Sequence, residues 1–264
     1  MKMVLKQKSH FLSLIFYYLL FLKFMSAADA GNIAESEQMF IKYNDLKIGK
    51  ETPVYFGGLF SSETPKFLPR EKANLIPFSS QKLPVILQYF GFIPESSQAQ
   101  SVESTLKQCE MKDEEAICVN SMESMIDFVS GIFKNREEIA LKMMSTSPLP
   151  ETSRRLQKYK IMEEPQEIES GKVVECIMLP YPYSVYQCYL FAGSDYKVLK
   201  VKLKGEDGVK MEAMVNCHMN TSGWDPNDGA LRVLGLKPGG SPVCQFLSSN
   251  DMVWFPASAL DSNA

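Results

Sequence analysis

The chain has 264 residues, of which 45% are apolar. That is ample for one large domain with its own core, and it excludes bulk disorder. The formal charge of −3 at neutral pH argues against nucleic acid and anionic membrane surfaces as partners, since their binders cluster positive charge.

Residues 1–28 differ from the rest. Lys2, Lys6 and Lys8 precede the apolar run Phe11 to Leu22, Lys23 ends it, and the small residues Ser26, Ala27, Ala28 and Ala30 follow. This is the layout of a secretory signal peptide, with cleavage expected after Ala28 or Ala30. Twelve residues fall short of the ~20 that span a bilayer, although a retained signal anchor is the alternative. The segment holds four Lys and no acid, so cleavage would leave 24 bases against 31 acids, a charge near −7.

Two short strands are expected at Met39–Tyr43 and Pro53–Phe60. Residues 61–84 carry Pro65, Pro69, Pro77 and Pro84 and read as an extended segment, because proline blocks helix interiors and central strands. Ser96 or Ser97 can cap a helix running to Cys109. In the next segment Met122, Met125, Ile126, Val129, Ile132 and Phe133 recur at helical spacing, with Asn120 and Glu123 resembling a capping box. The methionines read as core filling. Residues 134–172 are charged and interrupted by Pro148, Pro150 and Pro165, and read as a surface connection.

Beyond that point the pattern has period two. Leu199, Val201 and Leu203 alternate with lysines, and Val209, Met211, Ala213, Val215 and Cys217 follow after Gly205-Glu206-Asp207-Gly208. This predicts a β-hairpin with Cys217 on its core face and His218 on the opposite one. Asn220-Thr221-Ser222 is a sequon for an N-linked glycan.

All six cysteines (Cys109, Cys118, Cys176, Cys188, Cys217 and Cys244) follow the signal segment. In a secretory compartment an even count favours three disulfides. Cys109 and Cys118 enclose a short polar loop and are the expected pair; the sequence by itself leaves the others open.

Four of the cysteines form a ladder. Cys176-Ile177 is followed by ten residues, Cys188-Tyr189 by 27, Cys217-His218 by 25, and Cys244-Gln245 by eight before Trp254. This resembles the plant BURP family, whose signature is four Cys-His dipeptides at these spacings followed by tryptophan. Asp45-Leu46 with Gly49-Lys50, Phe67-Leu68-Pro69-Arg70, Ile76-Pro77-Phe78-Ser79-Ser80, Cys109-Glu110, residues 121–128 and Tyr181-Pro182-Tyr183 are similar to its other blocks. The resemblance implies a signal peptide over 1–28, a short segment over 29–38, a BURP domain over 39–257 and a tail over 258–264. The implied fold is α+β, disulfide-stapled, with helices in the N-terminal half and antiparallel sheet dominating the C-terminal half. The ladder is expected to tie neighbouring strands, Cys176 to Cys188 and Cys217 to Cys244.

The chain departs from the family pattern where its chemistry lies. Some members are copper-dependent peptide cyclases in which the Cys-His histidines are implicated as ligands. Here Ile177, Tyr189 and Gln245 stand in three of those places, and only His218 remains, expected to be an exposed remnant of a metal site. Imidazole suits copper; isoleucine cannot ligate, and tyrosine and glutamine are poor substitutes. The short segment 29–38 contains no Trp or Tyr that a cyclase could crosslink. No catalytic residue is assigned, and Trp224 and Trp254 read as packing residues.

The resemblance therefore implies a secreted, non-enzymatic glycoprotein without a cofactor. Apoplast and cell wall are the expected destination, with the vacuole as the alternative. Cell-wall, seed or stress roles are implied, as is a partner that is wall polysaccharide or a wall protein, with no nucleic acid and no membrane after cleavage. The alternative is a copper-dependent oxidative crosslinker acting on another chain.

Overall fold

The computed structural model describes residues 39–56, 64–111, 116–133 and 139–259. The expected signal peptide and both cleavage sites lie outside these residues, as do 29–38 and most of the tail.

Twelve strands are present among the described residues: β1 (Phe40–Lys42), β2 (Glu51–Val54), β3 (Ala116–Val119), β4 (Leu141–Met144), β5 (Gln157–Ile161), β6 (Gln166–Glu167), β7 (Lys172–Leu179), β8 (Val185–Ala192), β9 (Tyr196–Gly205), β10 (Lys210–His218), β11 (Val243–Phe246) and β12 (Met252–Pro256). The helices are α1 (Arg70–Ala73), α2 (Leu83–Phe90), α3 (Ser97–Glu110), α4 (Met122–Phe133) and α5 (Gly229–Leu234). The fold mixes helices with a predominance of sheet, as an α+β chain should.

The strands form two antiparallel sheets. A seven-stranded sheet runs β1-β11-β10-β9-β5-β2, with β6 added on β9; a five-stranded sheet runs β3-β8-β7-β12-β4. The larger sheet curls around its own core. Phe56 contacts Tyr159 of β5 at 5.2 Å and Phe246 of β11 at 5.8 Å between ring centroids, although two strands separate β5 from β11. Its other face meets the smaller sheet across Val198, Met214, Leu247, Val173, Val253 and Phe255. The far face of the smaller sheet is covered by α4 through Met125, Val129 and Phe133, spaced four apart. Helices α1 to α3 pack on the loop joining β7 and β8, where Tyr181 and Tyr183 meet Ile86, Val102 and Leu106.

The hairpin of β9 and β10 is in register from Tyr196 with His218 to Lys204 with Lys210. Its turn closes on Gly208 at φ 85°, a backbone conformation that glycine adopts without a Cβ clash. Helix α3 starts at Ser96, whose hydroxyl accepts from the Ala99 amide at 3.2 Å. Helix α4 is capped by Ser121, whose Oγ accepts from the Ser124 amide at 3.1 Å, rather than by the expected Asn120.

The division into a helical first half and a sheet second half holds only in part. Strands β1 to β6 precede residue 172, and α5 lies in the second half. Residues 141–144, 157–161 and 166–167 of the expected surface connection are strands. In β5 the sequence Gln157-Lys-Tyr-Lys-Ile161 alternates buried and exposed throughout, so its lysines conceal a strand. Leu83–Phe90 is helical because Pro84 sits in the first turn, where a missing N–H costs nothing.

Candidate functional site

Neighbouring side chains on a strand point to opposite faces. Cys176 stands opposite Cys188 on β7 and β8, and Cys217 opposite Cys244 on β10 and β11. Each pair is disulfide-bonded, as is Cys109 with Cys118. Cys176 and Cys188 face α4, whereas Cys217 and Cys244 face the core inside the curled sheet. The residue after each cysteine therefore points the other way, and on both sheets that is the face turned to the opposite sheet. Ile177, Tyr189, His218 and Gln245, dispersed over 69 positions of the chain, all look into one layer between the sheets.

At the heart of this layer is Glu175, 3% exposed. Its carboxylate on β7 accepts from Asn216 Nδ2 of β10 at 2.7 and 2.9 Å and from the Tyr196 hydroxyl of β9. The network thus bolts one sheet to the other. Burial pushes the Glu175 carboxyl up to about 7, opposed by the bonds from Tyr196 and Asn216 and assisted by the charge of Asp251. The Tyr196 hydroxyl is held well above its ordinary value of 10.0, by burial first and by Glu175 next. Asn216 Oδ1 is buried without a hydrogen-bond partner. A protonated Glu175 would supply one if the amide turned over, since it would then donate where Asn216 now does. Asp251 is buried beside the layer and accepts from the Met178 amide at 3.0 Å and the Ser248 amide at 2.9 Å; burial raises its carboxyl too.

Aromatic rings form the rim. Phe191 stacks on Tyr196 at 3.8 Å, Tyr189 stacks beside Phe191 at 6.1 Å, and His218 sits edge-on to Phe191, Tyr196 and Trp224 at 5.7, 5.3 and 5.1 Å. His218 is thus half-buried among rings, which corrects the expectation of an exposed histidine. The reason is that β10 carries it under the smaller sheet, as the opposite face to Cys217 requires. Burial lowers its pKa, with Asp228 opposing.

The copper-binding role implied for this ladder requires several nitrogen donors at one place. Their places are brought to one layer here, but they offer one imidazole, a phenol, an amide and a hydrocarbon. Ile177 packs into the inter-sheet core, and the cysteines are consumed by disulfides. No three His, Cys, Asp or Glu side chains converge among the described residues. This donor set does not fit copper.

Trp224 packs against α5 and Trp254 against the α4 layer, as packing residues should. Asn220 is exposed, and its Oδ1 accepts from the Ser222 hydroxyl at 2.7 Å and the Ser222 amide at 3.1 Å. Sequence reasoning passed over Glu175, Asn216 and Tyr196. A signal was present: Glu175 is a carboxylate within the apolar run 173–179, and Glu175 and Asn216 each stand immediately before a ladder cysteine.

Comparison with known proteins agrees with this geometry. The profile of the BURP domain matches residues 39–256. A rice "BURP domain-containing protein 17" is 37% identical over 221 residues, covering 82% of this chain and 38% of its own length. Brassica napus "BURP domain-containing protein BNM2A" is 36% identical over 224 residues, covering 82% of this chain and 78% of that protein. Arabidopsis "BURP domain protein RD22" is 36% identical over 224 residues and is covered over 55% of its length.

Proposed function

The chain belongs to the BURP domain family of plants, and from that premise we propose that it is a secreted, non-catalytic scaffold that binds wall polysaccharide or a wall protein. The observation that carries this reading is the inter-sheet layer. The four ladder positions face it, yet a hydrocarbon, a phenol and an amide replace three of the expected imidazoles. The surrounding space is taken by the Glu175–Tyr196–Asn216 network and stacked rings. Such a layer joins two sheets, and its four ladder side chains supply a single imidazole. Three disulfides support an oxidising compartment, and the exposed Asn220 is assigned a glycan. Seed or stress roles follow from the family.

Metal analysis after copper loading and desalting tests the reading. A scaffold takes up no stoichiometric copper. About one copper ion per chain, lost on His218→Ala, would instead make oxidative crosslinking of a second chain the activity to pursue.

A further inference from the structure

The outer face of the seven-stranded sheet has two halves. Along β9 the outward positions are Tyr196 and Val198, covered by the smaller sheet, then Lys200, and finally the exposed Lys202 and Lys204. Beyond the smaller sheet's reach, the outward positions of β5 are Lys158 and Lys160, and β10 opens with Lys210. Register sets these side by side. Lys160 stands directly opposite Lys204, and Lys204 directly opposite Lys210. Lys158 lies two residues from Lys160 on the same face.

Like charges placed directly across a sheet are destabilising, so this row does not serve the sheet that carries it. The row is only partly compensated. Lys202 pairs with Glu163 at 2.8 Å and Lys200 with Glu212 at 3.6 Å, but Lys158, Lys160, Lys204 and Lys210 make no ion pair among the described residues. Glu51, opposite Lys160 on the edge strand β2, Glu206 at the hairpin turn and Glu212, two residues from Lys210 on the same face of β10, are the acids beside them. With strands ~4.8 Å apart, the four ammonium groups stand over a field roughly 10 Å wide. A shallow groove of about 440 Å³ elsewhere on the molecule lacks this concentration of cations; the groove of about 420 Å³ bordered by Met162, Lys202, Lys210, Glu163 and Glu212 adjoins it.

We propose that this lysine face is a docking surface for a linear, carboxylate-bearing polysaccharide, a polyuronate. Four unpaired cations at strand spacing, on a chain of net negative charge, complement a polymer carrying one carboxylate per sugar. Outward positions between the lysines are Glu51, Pro53 and Glu212. None is an aromatic on which bases could stack, and the exposed apolar side chains that flank the row, Leu156 and Met162, are too few to enter a bilayer. The choice of a wall polymer rests on the scaffold reading above. Copper uptake tests that reading on different residues, so either can fail alone.

The test is affinity of the purified, disulfide-intact protein for polygalacturonate, measured by affinity electrophoresis at low and high salt. The wild type should be retarded at low salt and released at high salt. Replacing Lys158, Lys160, Lys204 and Lys210 by Gln should weaken retardation at least about tenfold, while Lys72→Gln, Lys82→Gln, Lys142→Gln and Lys237→Gln together, an equal charge change on exposed positions elsewhere, should leave most of it. All eight side chains are exposed, and thermal melts check that both variants fold. Equal losses in the two variants, no retardation of the wild type, or tighter binding to anionic vesicles or duplex DNA than to polygalacturonate would overturn the proposal.

Discussion

Glu175→Gln should make the protein more stable at pH 8 and leave it nearly unchanged at pH 4. The carboxyl is buried, and its pKa stands at about 7 against an ordinary 4.5. An acid with a raised folded pKa holds its proton in the native state where the unfolded chain has released it. Stability is therefore intact below about 4.5, falls as pH rises towards 7, and is level above that. The gap of about 2.5 pH units, at 1.36 kcal/mol each, amounts to about 3 kcal/mol. Glutamine has the shape of the protonated acid. Its carbonyl can accept from Tyr196, and once the Asn216 amide turns over its own amide can donate to Asn216 Oδ1. Chemical denaturation of wild type and variant at half-unit pH steps reads the difference. His218 and Asp251 also titrate with shifted pKa values, His218 lowered and Asp251 raised. Both chains share them, so they cancel except for the charge of Asp251 acting on Glu175, which is already part of that carboxyl's rise to about 7. A difference that is the same at pH 4 and pH 8, or a variant weaker at pH 8, would refute the reasoning.

Three further outcomes are expected. Tyr196→Phe keeps the ring stacked on Phe191 but removes a donor to the buried carboxylate; it should cost about 1–3 kcal/mol at pH 8 and less at pH 5, read by the same denaturation series. Replacing both Cys217 and Cys244 by Ala opens a bridge with a sequence separation of 27, against 9 for Cys109 and Cys118. The first pair should cost about 4 kcal/mol and the second about 3 kcal/mol, so their melting temperatures should fall in that order. Protein made in a plant secretory pathway should shift on a gel after enzymatic deglycosylation, and Asn220→Gln should abolish that shift.

Much of this architecture can be read from the residues, and what cannot has a physical cause. The β9–β10 hairpin declares itself because one face is apolar and the other charged, and α4 because its apolar residues recur every four. Strand β5 hides because Lys158 and Lys160 stand on a face with no partner sheet, so charge there is compatible with strand. The bridge from Cys217 to Cys244 is an expectation that the register of β10 and β11 bears out, but the placing of Ile177, Tyr189, His218 and Gln245 in one layer depends on how two sheets stack. Alternation tells which way each points; only the packing shows that the four faces belong to one layer. Burial of His218 follows from the same packing, through Phe191 and Trp224. The Glu175 bolt needs three strands from two sheets, and no local pattern carries that information.

Copper uptake measured on the wild type and on a variant carrying Ile177→His, Tyr189→His and Gln245→His tests most directly whether this layer has exchanged metal ligation for structure. After loading and desalting, the wild type should hold no stoichiometric copper and the variant about one ion per chain. One copper on the wild type, lost when His218 becomes alanine, would contradict it.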